Sequence, residues 1–291
     1  MPADPPRPAA PPGPAAGALP AAAPPGPAAT CAGLVKIYWT ATGEVHALKG
    51  VDAAFPAAAV SAVVGPSGSG KSSLLRILAG LDRPTAGQVT VAGLQLSGLS
   101  VARRRRLRRR LLGYVFQRPA DNLVPYLIVA EHLELAARLR RTRPSDDGDL
   151  LELLGLAHRR RHLPRQLSGG EQQRLAFARA VVGDPPLVVA DEPTAELDRG
   201  SAAALLEAVL ALAGRGTALV LATHDPAVVG LSERTFYLRH GAMEAEATGR
   251  DALSVIDDAG RVQLPPEALK LFPARRARIG VERGRVWIGP P

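Results

Sequence analysis

Four short apolar runs punctuate the chain: VSAVV at residues 60–64, LVVA within PLVVADEP, ALVLAT within TALVLATHD, and the segment GYVFQ. Runs of this length without an alternating polar face predict strands buried on both sides, as in a parallel sheet. Helical spacing fills the intervals. SLLRILAGL follows the first run, EHLELAARLRR and DLLELLGLAHRR occupy the middle of the chain, and EQQRLAFARAVV precedes PLVVADEP. Strands alternating with helices predict an α/β fold built on a parallel sheet, whose strand ends look into one crevice. The middle stretches predict a mostly helical subdomain over about residues 118–166.

The ends of the chain follow other patterns. Of residues 1–29, 22 are Ala or Pro, which reads as a disordered, partly polyproline tail or as a docking ligand for a proline-recognising partner. It lacks the basic start and apolar run of a secretory signal. Beyond Gly249 the runs VID, RVQL, ARIGV and RVWIG alternate with turn signals DDAG and ERG, and a short helical stretch begins at Pro265, Pro266 and Glu267. Residues 250–291 thus predict a small β-rich extension.

Composition narrows the picture. A chain of 291 residues with 46% hydrophobic content suffices for one ordinary domain plus tails. Its single cysteine, Cys31, leaves no internal disulfide to form, so a reduced compartment is expected. No stretch has the roughly 18 consecutive apolar residues of a membrane span. The formal charge of +9 rests on RRRRLRRR at residues 103–110, without which it falls to +2. The basic balance is therefore local: a solvated helix leading into the next strand, or a contact for acidic headgroups, a partner protein or a polyanion.

The chemistry sits at the ends of the apolar runs. Gly65, Pro66, Ser67, Gly68, Ser69, Gly70, Lys71 and Ser72 read GPSGSGKS, between a strand and a helix, which is the context of a phosphate-binding P-loop. Its glycines permit a nest of backbone N–H groups, backed by the positive end of the following helix. Lys71 is placed for the β- and γ-phosphates, and Ser72 for Mg²⁺. Asp191 and Glu192 end the second strand, the first suited to hold Mg²⁺ through water and the second to activate an attacking water. His224 closes a third strand on the same crevice, where an imidazole reaches the γ-phosphate or Glu192. Gln117 ends GYVFQ, its amide suited to Mg²⁺ or water. LSGGEQQR, residues 167–174, is a second Gly-rich loop at a helix start, able to accept an anion from outside or to serve as a plain N-cap through Ser168.

These pieces, in this order, resemble the ATPase subunit of an ABC transporter over roughly residues 33–241. The resemblance implies a P-loop NTPase core with a small antiparallel β subdomain and an inserted helical subdomain, binding ATP and Mg²⁺. It implies that Ser168, Gly169 and Gly170 contact the γ-phosphate of ATP held by a second copy of the chain, that Asp198 of TAELD lies at the dimer seam, and that Tyr38 of KIYW stacks on adenine. Glu192, His224 and Gln117 are the catalytic positions it implies, with Ser72, Gln117 and Asp191 toward the metal. FQRPADNLVPYLIVAEHL resembles the lipoprotein-releasing, macrolide-exporter and cell-division branch, in which a soluble homodimer drives a separate membrane permease from the cytoplasmic face. No nucleic-acid partner is expected. Departures are Glu131-His132 where those relatives usually have Glu-Asn, Ser73 for a common threonine, and a strand before the P-loop without the usual Gly-Glu turn. The extension resembles one protomer of an AbrB-like swapped-hairpin fold, which implies either a dimerising clasp or a cap. A soluble ABC ATPase acting on ribosomes or nucleic acid is the alternative class; the single nucleotide domain and absence of large insertions speak against it.

Overall fold

The computed structural model describes residues 26–41, 43–142, 147–248, 251–254, 272, 276–282 and 285–289. In chain order come β1 (Ala29–Thr40), β2 (Gly43–Phe55), β3 (Val60–Val64), α1 (Lys71–Leu78), β4 (Ala86–Val91), β5 (Leu94–Gln95), α2 (Val101–Leu111) and β6 (Leu112–Val115). A 3-10 turn at Pro119–Asn122 leads to α3 (Val129–Arg140), α4 (Asp147–Leu153), α5 (Gly169–Val181), β7 (Leu187–Asp191) and α6 (Arg199–Gly214). β8 (Ala218–Thr223), α7 (Pro226–Leu231), β9 (Arg234–Arg239), β10 (Ala242–Thr248), β11 (Asp251–Ser254), β12 (Arg278–Glu282) and β13 (Arg285–Gly289) complete it.

The main sheet has the order β11-β10-β9-β3-β8-β7-β6. Strands β9, β3, β8, β7 and β6 are parallel, with β10 and β11 antiparallel at one edge. The apolar runs are continuous because alternate side chains feed two cores. Leu187 and Val189 join the α1 side with Val63 and Val220, while Val188 and Ala190 join Val60, Leu219 and Leu221 against α5 and α6. Every residue of β8 is buried. A fully buried Val or Leu contributes roughly 1.5–3 kcal/mol, so both faces of these strands hold the sheet.

β1, β2, β4 and β5 form the antiparallel subdomain, in the order β2-β1-β4-β5. The segment expected to be helical between the Gln117 turn and the second Gly-rich loop contains α3, α4 and three 3-10 turns. The arginine run is helical too: α2 starts at Ser100, whose side chain accepts from Arg103 N, and runs straight into β6.

The ends differ from the sequence reading in two places. Ala28 and Ala29, read as the last of the tail, are 2% and 1% exposed. Ala29 pairs with both Phe55 and Val91, and Ala28 O accepts from Ala92 N; alanine's small side chain lets the chain lie between two strands. At the other end the main sheet continues past Gly249 through β11, which pairs with β10. ARIGV and RVWIG form the hairpin β12–β13. Residues 1–25 of the tail, the VID and RVQL runs and the stretch at 265–267 lie outside the described residues.

Candidate active site

The P-loop joins the end of β3 to the start of α1. Gly70 caps α1 with φ 106°, and a Cβ there would lie 2.3 Å from Ala47 O. At Gly65 a Cβ would lie 2.0 Å from Leu238 O. Both are sterically reserved for glycine, because β2 and the β9 end press against the loop. The turn after β9 fastens it further, Gly241 N donating to Ser69 O at 3.0 Å and Lys49 N to Gly241 O at 2.8 Å. Lys71 Nζ folds back over the loop and donates to Gly65 O at 2.7 Å and Pro66 O at 3.2 Å. Ser69 Oγ is buried with no hydrogen-bond partner among the described residues.

Asp191, at the end of β7, has its pKa raised, chiefly by burial and also by neighbouring Glu192, with Ser72 and Lys71 acting against the rise. Glu192 follows the strand with φ 45°, a conformation unusual for a side chain larger than glycine. Its backbone N–H donates to Ala222 O at 2.8 Å, fastening it to β8. The carboxylate lies between Lys71, at the start of α1, and His224, just after β8. Oε1 lies 3.8 Å from Lys71 Nζ, and Oε2 lies 2.9 Å from His224 Nδ1. The Glu192 side chain is 14% exposed and that of His224 is 72% exposed, so the bridge runs from the interior to the open crevice.

Gln117 is exposed in the turn after β6. Asn122, which sequence reasoning did not single out, holds that turn: its Oδ1 accepts from Phe116 N at 2.9 Å and its Nδ2 donates to Phe116 O and Arg118 O, both at 3.1 Å. Tyr38 shares a face of β1 with Lys36. Tyr38 OH donates to Asp82 Oδ2 at 3.0 Å, Lys36 Nζ donates to Asp82 Oδ1 at 2.9 Å, and that Nζ lies 4.6 Å from the Tyr38 ring centroid. Leu48, the pairing partner of Lys36, would lie 3.0 Å from a Cβ on Gly70, so this face looks toward the P-loop. Trp39 is 77% exposed.

The second Gly-rich loop stands apart from these groups. Ser168 caps α5 in a reciprocal box, its N donating to Glu171 Oε2 at 2.8 Å and its Oγ accepting from Glu171 N at 3.2 Å. Burial alone would raise the Glu171 pKa, but the Ser168 donors and Arg159 hold it down at about 2. A Cβ on Gly170 would lie 2.6 Å from Ser201, on the first turn of α6. Asp198 caps α6, accepting from Ser201 N at 3.0 Å and Ser201 Oγ at 2.7 Å, and these bonds lower its pKa. The structure thus gathers the P-loop, Asp191, Glu192 and His224 into one site, and Ser168, Gly169, Gly170 and Asp198 into another.

A triphosphate fits the first cluster: a glycine cradle that a Cβ would fill, an ammonium tethered to loop carbonyls, and the orphaned Ser69 hydroxyl. The Ser72 and Asp191 oxygens are a donor set for Mg²⁺, a cation that takes one or two protein oxygens and completes its shell with phosphate and water.

The ABC transporter family profile matches residues 48–195. The chain belongs to the ABC transporter family. It is 42% identical to the lipoprotein-releasing system ATP-binding protein LolD of Hydrogenovibrio crunogenus over 214 residues, 72% of this chain and 92% of that protein. LolD of Bordetella pertussis is 39% identical over 227 residues, covering 76% and 97%. The dimeric post-hydrolysis structure of the ATP-binding cassette MJ0796, bound to ADP and Pi, superposes with a TM-score of 0.70 at 33% identity, covering 77% of this chain and 99% of that one. The chain is therefore an ABC transporter ATP-binding subunit similar to LolD, with the ABC cassette fold. The AbrB-like resemblance of the extension is not confirmed by these matches.

Proposed function

We propose that this ABC subunit hydrolyses ATP as one half of a head-to-tail homodimer and drives a separate membrane permease of the lipoprotein-releasing type from the cytoplasmic face. The observation that carries the hydrolytic reading is Glu192, held by β7 and β8 between Lys71 and His224. The P-loop N–H groups and Lys71 bind the phosphates. Ser72 and Asp191, with Gln117 swung in from its exposed turn, would hold Mg²⁺, which supplies charge neutralisation on the phosphate oxygens when bound. Glu192 takes the proton of the attacking water as general base. His224, whose Nδ1 lies 2.9 Å from Oε2, helps place the carboxylate beside that water. Tyr38 stacks on the adenine.

The separation of the two clusters supports the paired site. Ser168, Gly169 and Gly170 form the start of α5, a helix N-terminus suited to an oxyanion, yet their own contacts run to Glu171 and Ser201 rather than to the P-loop. In a head-to-tail pair this loop, with Asp198 at the seam, closes over the γ-phosphate held by the partner copy. The dimeric state of the MJ0796 cassette and the LolD likeness support this arrangement and the permease branch. No helix among the described residues is long and apolar enough to cross a membrane, consistent with a permease on a separate chain.

Steady-state and single-turnover hydrolysis by Glu192→Gln tests the reading. Loss of general-base catalysis is worth about 10²–10⁴-fold. We expect turnover to fall by that order while ATP affinity stays within a few fold. Near-normal turnover would remove Glu192 from the role of base.

A further inference from the structure

Helix α1 begins at Lys71 and Ser72 and ends at Leu78, with Leu74, Leu75, Ile77 and Leu78 fully buried. The chain beyond it stays tied to its last turn, Leu81 N and Asp82 N both donating to Arg76 O, at 2.8 Å and 3.1 Å. Asp82 therefore stands at a fixed place relative to the P-loop, one short buried helix away. Both of its carboxylate oxygens are engaged by β1: Oδ1 accepts from Lys36 Nζ at 2.9 Å and Oδ2 from Tyr38 OH at 3.0 Å. The residues after Asp82 are fastened to the same strand. Lys36 Nζ donates to Arg83 O at 2.9 Å, Ile37 N to Thr85 Oγ1 at 3.0 Å and Thr85 N to Val35 O at 2.8 Å.

These bonds also fix the Tyr38 ring. A tyrosine side chain has two torsions to order before it can present a face to a ligand. Here the hydroxyl is anchored on Asp82, and the Lys36 ammonium, 4.6 Å from the ring centroid, holds one face of the ring by its charge. Lys36 is itself only 9% exposed and is held in place by Asp82. Burial works against the charge on Asp82, but hydrogen bonds from Lys36, Arg83 N and Tyr38 outweigh it and lower its pKa. The acceptor at neutral pH is thus a carboxylate, and hydrogen bonds to a charged acceptor are the stronger class. The ring remains half-buried, with part of its surface open.

We propose that Asp82 is a positioning residue for the nucleotide base: acting through Tyr38, and together with Lys36, it sets the stacking ring at a fixed distance from the P-loop. α1 is the spacer, with Lys71 and Ser72 at one end and Asp82 just beyond the other. Base and phosphates then meet groups already in register, which raises affinity by removing the cost of ordering a side chain on binding. The inference rests on the reading that Tyr38 stacks on adenine. It concerns the base and not the phosphates.

Calorimetric titration of the full chain with Mg-ADP, and with Mg-pyrophosphate as the same diphosphate without its base, tests it. Asp82→Asn, which keeps the shape and removes the charge, should weaken ADP about three- to tenfold, the ordering cost of one side chain, with pyrophosphate affinity held within about twofold. In Tyr38→Ala, which has no ring to hold, adding Asp82→Asn should change ADP affinity no further. Tyr38→Phe removes the hydroxyl alone and should reproduce the ADP-selective loss even where Asp82→Asn disturbs the fold. Equal weakening of ADP and pyrophosphate would make Asp82 a loop anchor and overturn the inference. ADP binding that falls in Tyr38→Ala but in neither Asp82→Asn nor Tyr38→Phe would overturn it and leave the stacking reading standing. ADP binding unchanged in Tyr38→Ala would overturn both.

Discussion

His132 shows how burial decides the state of one side chain. It stands beside Glu131 and is fully buried on α3. Its Nδ1–H donates to Ile128 O and its Nε2 accepts from Val124 N, both at 2.9 Å, so the folded chain needs the neutral ring. Burial accordingly lowers its pKa, with nearby Arg179 acting in the same direction and Glu131 opposing. A histidine whose folded pKa lies below its unfolded value of about 6.5 contributes stability that is complete above that pH and is lost as pH falls through it toward the folded pKa. Urea midpoints measured from pH 8 to pH 5 should therefore decline below about 6.5. His132→Asn should flatten that decline, and an unchanged slope would place its origin elsewhere. The candidate site residues could be picked out because each lies in a contiguous stretch with its own composition: GPSGSGKS, ADEP and LSGGEQQR. Asp82 was not legible. It joins Lys36 and Tyr38 across separations of 46 and 44 residues, and nothing local marks it.

At the scale of elements, the two-faced strands and the helices between them were legible from apolar runs and helical spacing, because burial on both sides leaves a period that one sequence displays. The junctions were less so. The tail boundary moved to Ala28 because alanine fits equally in a polyproline-like tail and between two strands. Gly113 of β6 is another silent position, where a Cβ would lie 2.5 Å from Ala180 O and 2.8 Å from a Val188 methyl. Gly113→Ala must push β6 away from α5, and overpacking of this kind costs about 1–3 kcal/mol. Thermal unfolding of that variant should show the loss, and because β6 leads into the Gln117 turn, hydrolysis should fall with it. A fully stable variant would mean that α5 yields at no cost.

At the scale of the whole molecule, the chain presents two clusters of candidate site residues, each with its own hydrogen-bond partners. The P-loop, Asp191, Glu192 and His224 form one, and the start of α5 with Asp198 forms the other. A helix N-terminus adds favourable donors to an oxyanion only within its first turn, so on the proposed reading the second cluster serves a nucleotide held by a partner copy. In the proposed head-to-tail pair each P-loop would meet the opposite α5, and hydrolysis would remove the bridging phosphate and release the pair. On that proposal ATP is the link between subunits, which would give hydrolysis a mechanical output for a permease. The solution mass of Glu192→Gln by light scattering, with and without Mg-ATP, tests this most directly. The account predicts a monomer that becomes a dimer only when Mg-ATP is added; a monomer in both conditions, or a dimer indifferent to nucleotide, would contradict it.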